Sequence, residues 1–289
     1  MQVWNRKELI EEPEVGAGAI RFAYGTAFGR FLAKTLLCRK FISELYGAWQ
    51  RSALSRGKVQ KFIAQYGIST EDCSCKEFSN FNDFFTRRRK NYVNQTTETQ
   101  LPAIADSKLL ALPIGDDSLF SVKGVPYTAG ELLENEALAK EYLGGLCLIF
   151  RLSPNDYHRY VYPDAGRQEK TVSIPGVLHT VNPIGAKLGV YRRNARRYAL
   201  LHTEHFGDVV QMEVGALLVG RIRNHQEGAA NFDKLQEKGY FEYGGSTVIL
   251  LLKKGAVTMD GDILDYSARG IETKVRIGEK IAAASEDLC

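Results

Sequence analysis

Tyr240-Phe241-Glu242-Tyr243-Gly244-Gly245-Ser246-Thr247-Val248-Ile249-Leu250-Leu251-Leu252 sets two strand-like runs on either side of a Gly-Gly pair. Such a pair predicts a hairpin turn, because both central residues of a tight two-residue loop need positive φ and glycine adopts it without steric cost. The same stretch has a chemical reading. Ser246 is a hydroxyl nucleophile directly behind two peptide units that carry no side chains, so the carbonyl carbon of Gly245 is open to attack from its own chain.

Outward from this point the pattern repeats. Short β-type runs at 109–114, 146–152, 158–162, 170–174, 198–202, 209–219 and 247–252 are punctuated by Gly, Pro, Asn and Asp, and each predicts a strand. One helical stretch, 129–142, interrupts the series. Strands at close spacing without alternating helices predict antiparallel sheets packed as a sandwich or partial barrel. Upstream, Ile20, Ala23, Tyr24, Ala27, Phe28, Phe31, Leu32 and Leu36 recur at spacings of three and four within a helical region of 16–68, and 57–66 predicts a further helix. The expected class is α+β: a mainly antiparallel β-sheet sandwich or partial barrel over 96–289, with an N-terminal helical extension over 1–95. Arg21, Arg30, Lys34, Arg39 and Lys40 between the apolar positions suit a helix lying in a membrane interface, although packing on the protein's own core is the commoner fate of such a helix.

The chain has 289 residues, 44% of them hydrophobic and 25% charged, which is ordinary globular composition with enough apolar material for a sizeable core. No apolar run reaches the length of a spanning helix, and residues 1–14 are polar and acidic, so neither a transmembrane segment nor a secretion signal is expected. Cys38, Cys73, Cys75, Cys147 and Cys289 are odd in number and scattered, which argues against a disulfide framework and suits a reducing compartment. Cys73-Ser74-Cys75 has no second cysteine pair or nearby histidine, so no metal site is expected. Net charge is +4, and the positive residues cluster at Arg87-Arg88-Arg89-Lys90, Arg192-Arg193 and Arg196-Arg197. Such clusters attract anionic lipid, phosphate-bearing substrates or nucleic acid, and otherwise serve as solvated faces. No nucleic-acid reading motif accompanies them.

Three stretches join the Gly-Gly-Ser-Thr motif: Ala105-Asp106-Ser107, then Leu152-Ser153-Pro154-Asn155-Asp156-Tyr157-His158-Arg159-Tyr160, then Val214-Gly215-Ala216-Leu217-Leu218-Val219-Gly220. With Trp4-Asn5-Arg6-Lys7 and Phe81-Asn82-Asp83-Phe84-Phe85-Thr86-Arg87 they extend over nearly the whole chain, and in this order and spacing the sequence resembles the phosphatidylserine decarboxylases. The resemblance implies a self-cleaving carboxy-lyase proenzyme that turns phosphatidylserine into phosphatidylethanolamine and CO₂ at a membrane. It implies cleavage between 245 and 246, giving a β chain 1–245 and an α chain 246–289, and a pyruvoyl group made from Ser246 that forms a Schiff base with the substrate amine. The partners it implies are phosphatidylserine, an anionic membrane surface and the two cleaved chains, with no nucleic acid. Peripheral association on the cytoplasmic side follows, and a homodimer is compatible with it.

For Ser246 Oγ to attack, a base must remove its proton from within about 3 Å. By position in the resemblance, Ser246 matches the nucleophile and Asp106 the carboxylate of the family's Asp-His-Ser triad. The family pattern Asp-Tyr-His-Arg-x-His gives the triad role to its second histidine and links the first to decarboxylation. Here Asp156-Tyr157-His158-Arg159-Tyr160-Val161 keeps only the first. Valine accepts no proton, which leaves His158 serving both steps or His179 as an alternative base. His158 is preferred, because an imidazole suits successive base and acid roles. The expected catalytic set is Asp106, His158 and Ser246. Arg192, Arg193, Arg196 and Arg197 are candidate contacts for lipid phosphate or an anionic bilayer, while His202, His205 and His225 are read as structural. Val161 also motivates a different reading, a lipid-binding homologue that does not self-process. A pyruvoyl decarboxylase of a soluble amino acid is the remaining alternative.

Overall fold

A computed structural model describes residues 1–12, 40–115, 119–122, 125–176, 193–216, 221–243 and 246–285, with positions 15, 18, 22, 26 and 29 between the first two segments. The apolar pattern from Ile20 to Leu36, His179, Arg192, Gly244 and Gly245 lie outside the described residues.

In chain order the strands are β1 (Gln2–Trp4), β2 (Leu9–Glu11), β3 (Gln100–Pro102), β4 (Ser107–Pro113), β5 (Leu119–Val122), β6 (Val125–Thr128), β7 (Leu146–Leu152), β8 (Arg159–Val161), β9 (Gly166–Gln168) and β10 (Val172–Ile174). They continue as β11 (Arg196–Thr203), β12 (Gly207–Val214), β13 (Ile222–Asn224), β14 (Ala230–Phe232), β15 (Glu237–Phe241), β16 (Ser246–Leu252), β17 (Val257–Met259), β18 (Glu272–Val275) and β19 (Lys280–Ala284). The helices are α1 (Lys40–Gln50), α2 (Gly57–Tyr66), α3 (Phe81–Phe85), α4 (Ala129–Leu133), α5 (Glu136–Lys140) and α6 (Gly261–Ala268). Among the described residues no helix is long and apolar enough to cross a membrane.

One eleven-stranded sheet runs β14-β9-β11-β12-β16-β7-β4-β18-β1-β2, with β10 also on β11. Its pairings are antiparallel except for β1 on β18. Two three-stranded sheets, β13-β15-β8 and β17-β19-β3, and the β5-β6 pair complete the β structure. The large sheet is open at β14 and β2, so the sheets do not close into a barrel, and the sandwich form of the α+β expectation is the one realised.

The centre of the large sheet explains the aliphatic run that follows Ser246. Every residue of β16 is buried, and Val248–Leu252 face the equally buried β7 on one side and β12 on the other. A strand covered on both faces has no solvent side, so its sequence is continuously apolar rather than alternating. Each such leucine or valine contributes roughly 1.5–3 kcal/mol by leaving water. A smaller aromatic cluster of Val59, Phe78, Phe81, Phe84 and Phe85 gathers under α2 and α3, with Tyr243 packed against it.

Three expectations are corrected. The runs flanking Gly244-Gly245 do not pair as a hairpin: β15 pairs with β13 and β8, whereas β16 pairs with β12 and β7, so the chain passes there from one sheet to another. The stretch 129–142 is two short helices, because Glu134 takes positive φ and the Asn135 side chain caps the second by accepting from the Leu138 N–H. The region 1–95 is not wholly helical, since β1 and β2 extend the edge of the large sheet through β18.

Candidate active site

Ser246 opens β16. Register sets it across from Leu152, the last residue of β7, while Thr247 lies between Arg151 and Val214. Ser246 is wholly buried, and its Oγ has no hydrogen-bond partner among the described residues. A buried hydroxyl is normally bonded, and one left unbonded calls for an explanation in strain or chemistry.

His158 reaches the same neighbourhood by a short route. The segment 153–157 leaves β7 at Leu152, beside Ser246, and delivers His158 to the start of β8. The imidazole is wholly buried and packs at a tilt against Phe85, with ring centroids 3.9 Å apart, and the Phe85 ring lies 5.1 Å from that of Tyr243. The Phe241 N–H donates to the His158 carbonyl at 2.9 Å. His158 is thereby tied to the chain just before the Gly-Gly-Ser segment. Its Nδ1 meets the main-chain oxygen of Asp156 at 3.0 Å. A carbonyl can only accept, so Nδ1 carries a proton, which leaves Nε2 as the ring nitrogen that would act as a general base.

Asp106 is held differently from a triad carboxylate. Its two oxygens accept from the Arg89 guanidinium at 3.1 and 2.6 Å and from the Ile277 N–H at 3.0 Å, and none of these donors is a histidine. Arg89 also pairs with Asp72 at 2.8 Å and lies 4.3 Å over the Tyr157 ring. Burial works against the Arg89 charge, but the hydrogen bond and field of Asp106 outweigh it and raise the guanidinium pKa. The chain next to Asp106 is bridged to that next to His158, through Ala105 and Tyr160. Val161 sits in the core, its N–H on the Ile104 carbonyl and its carbonyl on Gln211 Nε2, with nothing to accept a proton from serine.

The arginine pairs separate. Arg193 is exposed, and Arg197 pairs with Glu227 at 2.5 Å on the surface. Arg196 is corrected as a lipid contact: it is 2% exposed and donates to the carbonyls of Leu132, Glu131 and Asn194, bracing the end of α4. Of the histidines read as structural, His202 meets Asp208, His205 meets Asp164 and His225 meets Glu237.

Sequence reasoning passed over Lys108, Glu12, Arg151 and Phe85. Lys108 is 1% exposed and grips the Asp156 carboxylate and Glu12, each at 2.8 Å. Burial pulls its pKa down, but Asp156 and Glu12 outweigh this and raise it. The available signal was a lysine directly before the apolar run Leu109-Leu110-Ala111-Leu112.

A family model described as phosphatidylserine decarboxylase matches residues 81–283. The chain is 42% identical over 291 residues to a phosphatidylserine decarboxylase proenzyme 2 of Clostridium acetobutylicum, covering 98% of this chain and 99% of that one. The chain belongs to the phosphatidylserine decarboxylase family. Similar proteins include phosphatidylserine decarboxylase proenzymes of Clostridium botulinum, at 39% identity over 98% of this chain and 99% of the relative, and of Ruminiclostridium cellulolyticum, at 39% over 97% of each. Membership in the phosphatidylserine decarboxylase family makes the chain a carboxy-lyase, and the matched region holds Asp106, His158 and Ser246 together with α3 and its Phe85.

Proposed function

We propose that this chain is a phosphatidylserine decarboxylase proenzyme that cuts itself between Gly245 and Ser246. The observation carrying the proposal is the buried Ser246 Oγ, without a partner among the described residues, beside the loop that delivers His158 with its Nδ1 proton on the Asp156 carbonyl. His158 Nε2 takes the hydroxyl proton as Oγ bonds to the Gly245 carbonyl carbon, and the Ser246 nitrogen leaves with a proton, so the amide becomes an ester. Loss of the Ser246 α-proton then expels the Gly245 carboxylate, and water releases the nitrogen as ammonia. Chains 1–245 and 246–289 result.

The residues fit a pyruvoyl group at position 246: the position is dry, and its one polar side-chain atom has no competing partner among the described residues. Bound there, the ketone supplies a sink for the electrons left when CO₂ departs. His158 then serves from the same nitrogen as proton donor to the substrate carbon. The part we assign to Asp106 is positional, since its carboxylate fixes Arg89 and the Ile277 amide beside the Ala105–Tyr160 bridge.

A lipid substrate suits the surface nearby. α1 lies against the site through Tyr46, 5.5 Å from the Tyr243 ring, and Arg51, the residue after it, pairs with Glu242 at 3.1 Å. The surface around it exposes Leu45, Trp49 and Leu54, by 60%, 38% and 83%, with Arg51, Arg56 and Lys58 among them. Aromatic and aliphatic side chains interleaved with cations are what an anionic membrane interface takes up, which supports peripheral attachment by this face; Arg193 and Arg197 are separate candidate contacts for lipid phosphate.

The test is the fate of vesicles containing phosphatidylserine: CO₂ and phosphatidylethanolamine are expected in equal amounts. Vesicle binding without either product, by a chain that stays whole, would instead establish the lipid-binding homologue suggested by Val161. Turnover of free amino acids with no turnover of lipid would point to the soluble-substrate alternative.

A further inference from the structure

Strand alternation separates two faces at the end of the large sheet. Lys108 is registered on Arg151, and Arg151 on Thr247, so their side chains share one face, while Leu152 and Ser246 point to the other. The loop beginning at Ser153 is gripped from the Lys108 face. Arg151 donates to Ser153 Oγ at 3.0 Å, the Ser153 N–H donates to the Asp156 carboxylate at 2.6 Å, and Lys108 Nζ donates to both Asp156 oxygens at 2.8 Å. Glu12, the residue after β2, is the second anion on Lys108 and is itself bound by Lys274. Asp156 then turns its main-chain carbonyl to His158 Nδ1. One residue thus meets the buried cation with its side chain and the catalytic imidazole with its backbone.

Buried ion pairs are weak sources of net stability, because desolvation of the two charges offsets their attraction, and apolar residues of the same volume often do as well. A lysine kept in the core of this sheet therefore points to placement rather than stability. We propose that Lys108, acting through Asp156, is a positioning residue for His158: it anchors the 153–156 loop from the reverse face and holds the imidazole in its Nδ1–H form. This rests on the self-cleavage proposed above.

The rate of self-cleavage of freshly synthesised chain tests it. Lys108→Met is expected to cleave about 10²-fold more slowly, the loss that follows from an ångström-scale displacement of a base, and Lys108→Arg to recover most of the rate. Loss of fold would itself release the tautomer by breaking the Nδ1 bond to Asp156, so a second readout is taken in the uncleaved Ser246→Ala background, on variants whose circular dichroism shows the native fold. There the ¹⁵N signals of His158, one of five histidines and assignable by its loss in His158→Gln, should report Nδ1–H in the chain with native Lys108 and in Lys108→Arg, and a tautomer mixture in Lys108→Met. Should Lys108→Met not fold, Asp156→Asn, which keeps shape but removes the charge, carries the same two comparisons. A folded variant that cleaves within about threefold of the unsubstituted rate, or that loses cleavage with its His158 tautomer unchanged, overturns the inference. If the chain with no substitution remains whole, it is the proposed function that fails, and this inference with it.

Discussion

Ser246 and His158 carry the proposed chemistry with unequal support from their surroundings. Ser246 has a buried Oγ with no partner among the described residues, whereas His158 is fixed by Phe85, Phe241 and Asp156. Ser246→Ala is expected to abolish self-cleavage while leaving the fold intact, read as one full-length band on a denaturing gel. His158→Gln should slow cleavage by about 10²–10⁴-fold, the usual contribution of a positioned general base. A near-normal rate would move that role elsewhere, with His179 as the next candidate. Both residues stand out in the sequence because the motifs around them are contiguous. The holding of Asp106 by Arg89 does not, since 17 residues separate the two and a turn-forming aspartate gives no local sign of its partner. Arg196 was misread for a related reason: doublets of arginine look alike in sequence, but strand alternation turned one inward onto the carbonyls of α4.

At the scale of elements, β16 was legible as a strand from its aliphatic run, and 57–66 as a helix, closed by Gly67 at φ 60°. The pairing of β16 was not legible. Gly-Gly suggested a local hairpin, but an all-apolar strand gains more from two buried neighbours, and β7 and β12 supply them from far along the chain. Leu250→Ala in this strand should cost about 2–5 kcal/mol in denaturant unfolding, as expected for a cavity between three packed strands. The N-terminal hairpin was missed because β1 and β2 are each three residues long, too short to show a period. Its end is fixed by Glu12. Burial pushes the Glu12 carboxyl up, but Lys108 and Lys274 outweigh this and lower its pKa below the ordinary 4.5. A carboxylate with a lowered folded pKa adds stability that is complete above its unfolded value and is lost as pH falls through the folded one. The melting temperature should therefore drop on acidification below about 4.5, and Glu12→Gln should flatten that part of the profile. An identical acid profile for the variant would show that the drop comes from other groups.

Across the whole molecule, the proposed cut would not separate the products. The 246–289 chain contributes β16 between β12 and β7, β18 between β4 and β1, and β19 against β3. Arg6 adds ion pairs to Asp260, Asp262 and Glu279. The two chains are expected to elute together in native buffer and apart in denaturant. Leu45 and Leu54 are exposed, so Leu45→Glu with Leu54→Glu should weaken sedimentation with anionic vesicles and leave self-cleavage unchanged. The most direct measurement of the central claim is the intact mass of the purified, denatured protein. Two species are predicted, one ending at Gly245 and one beginning at position 246 with a blocked, ketone-bearing terminus. A single species with the mass of all 289 residues would contradict the account.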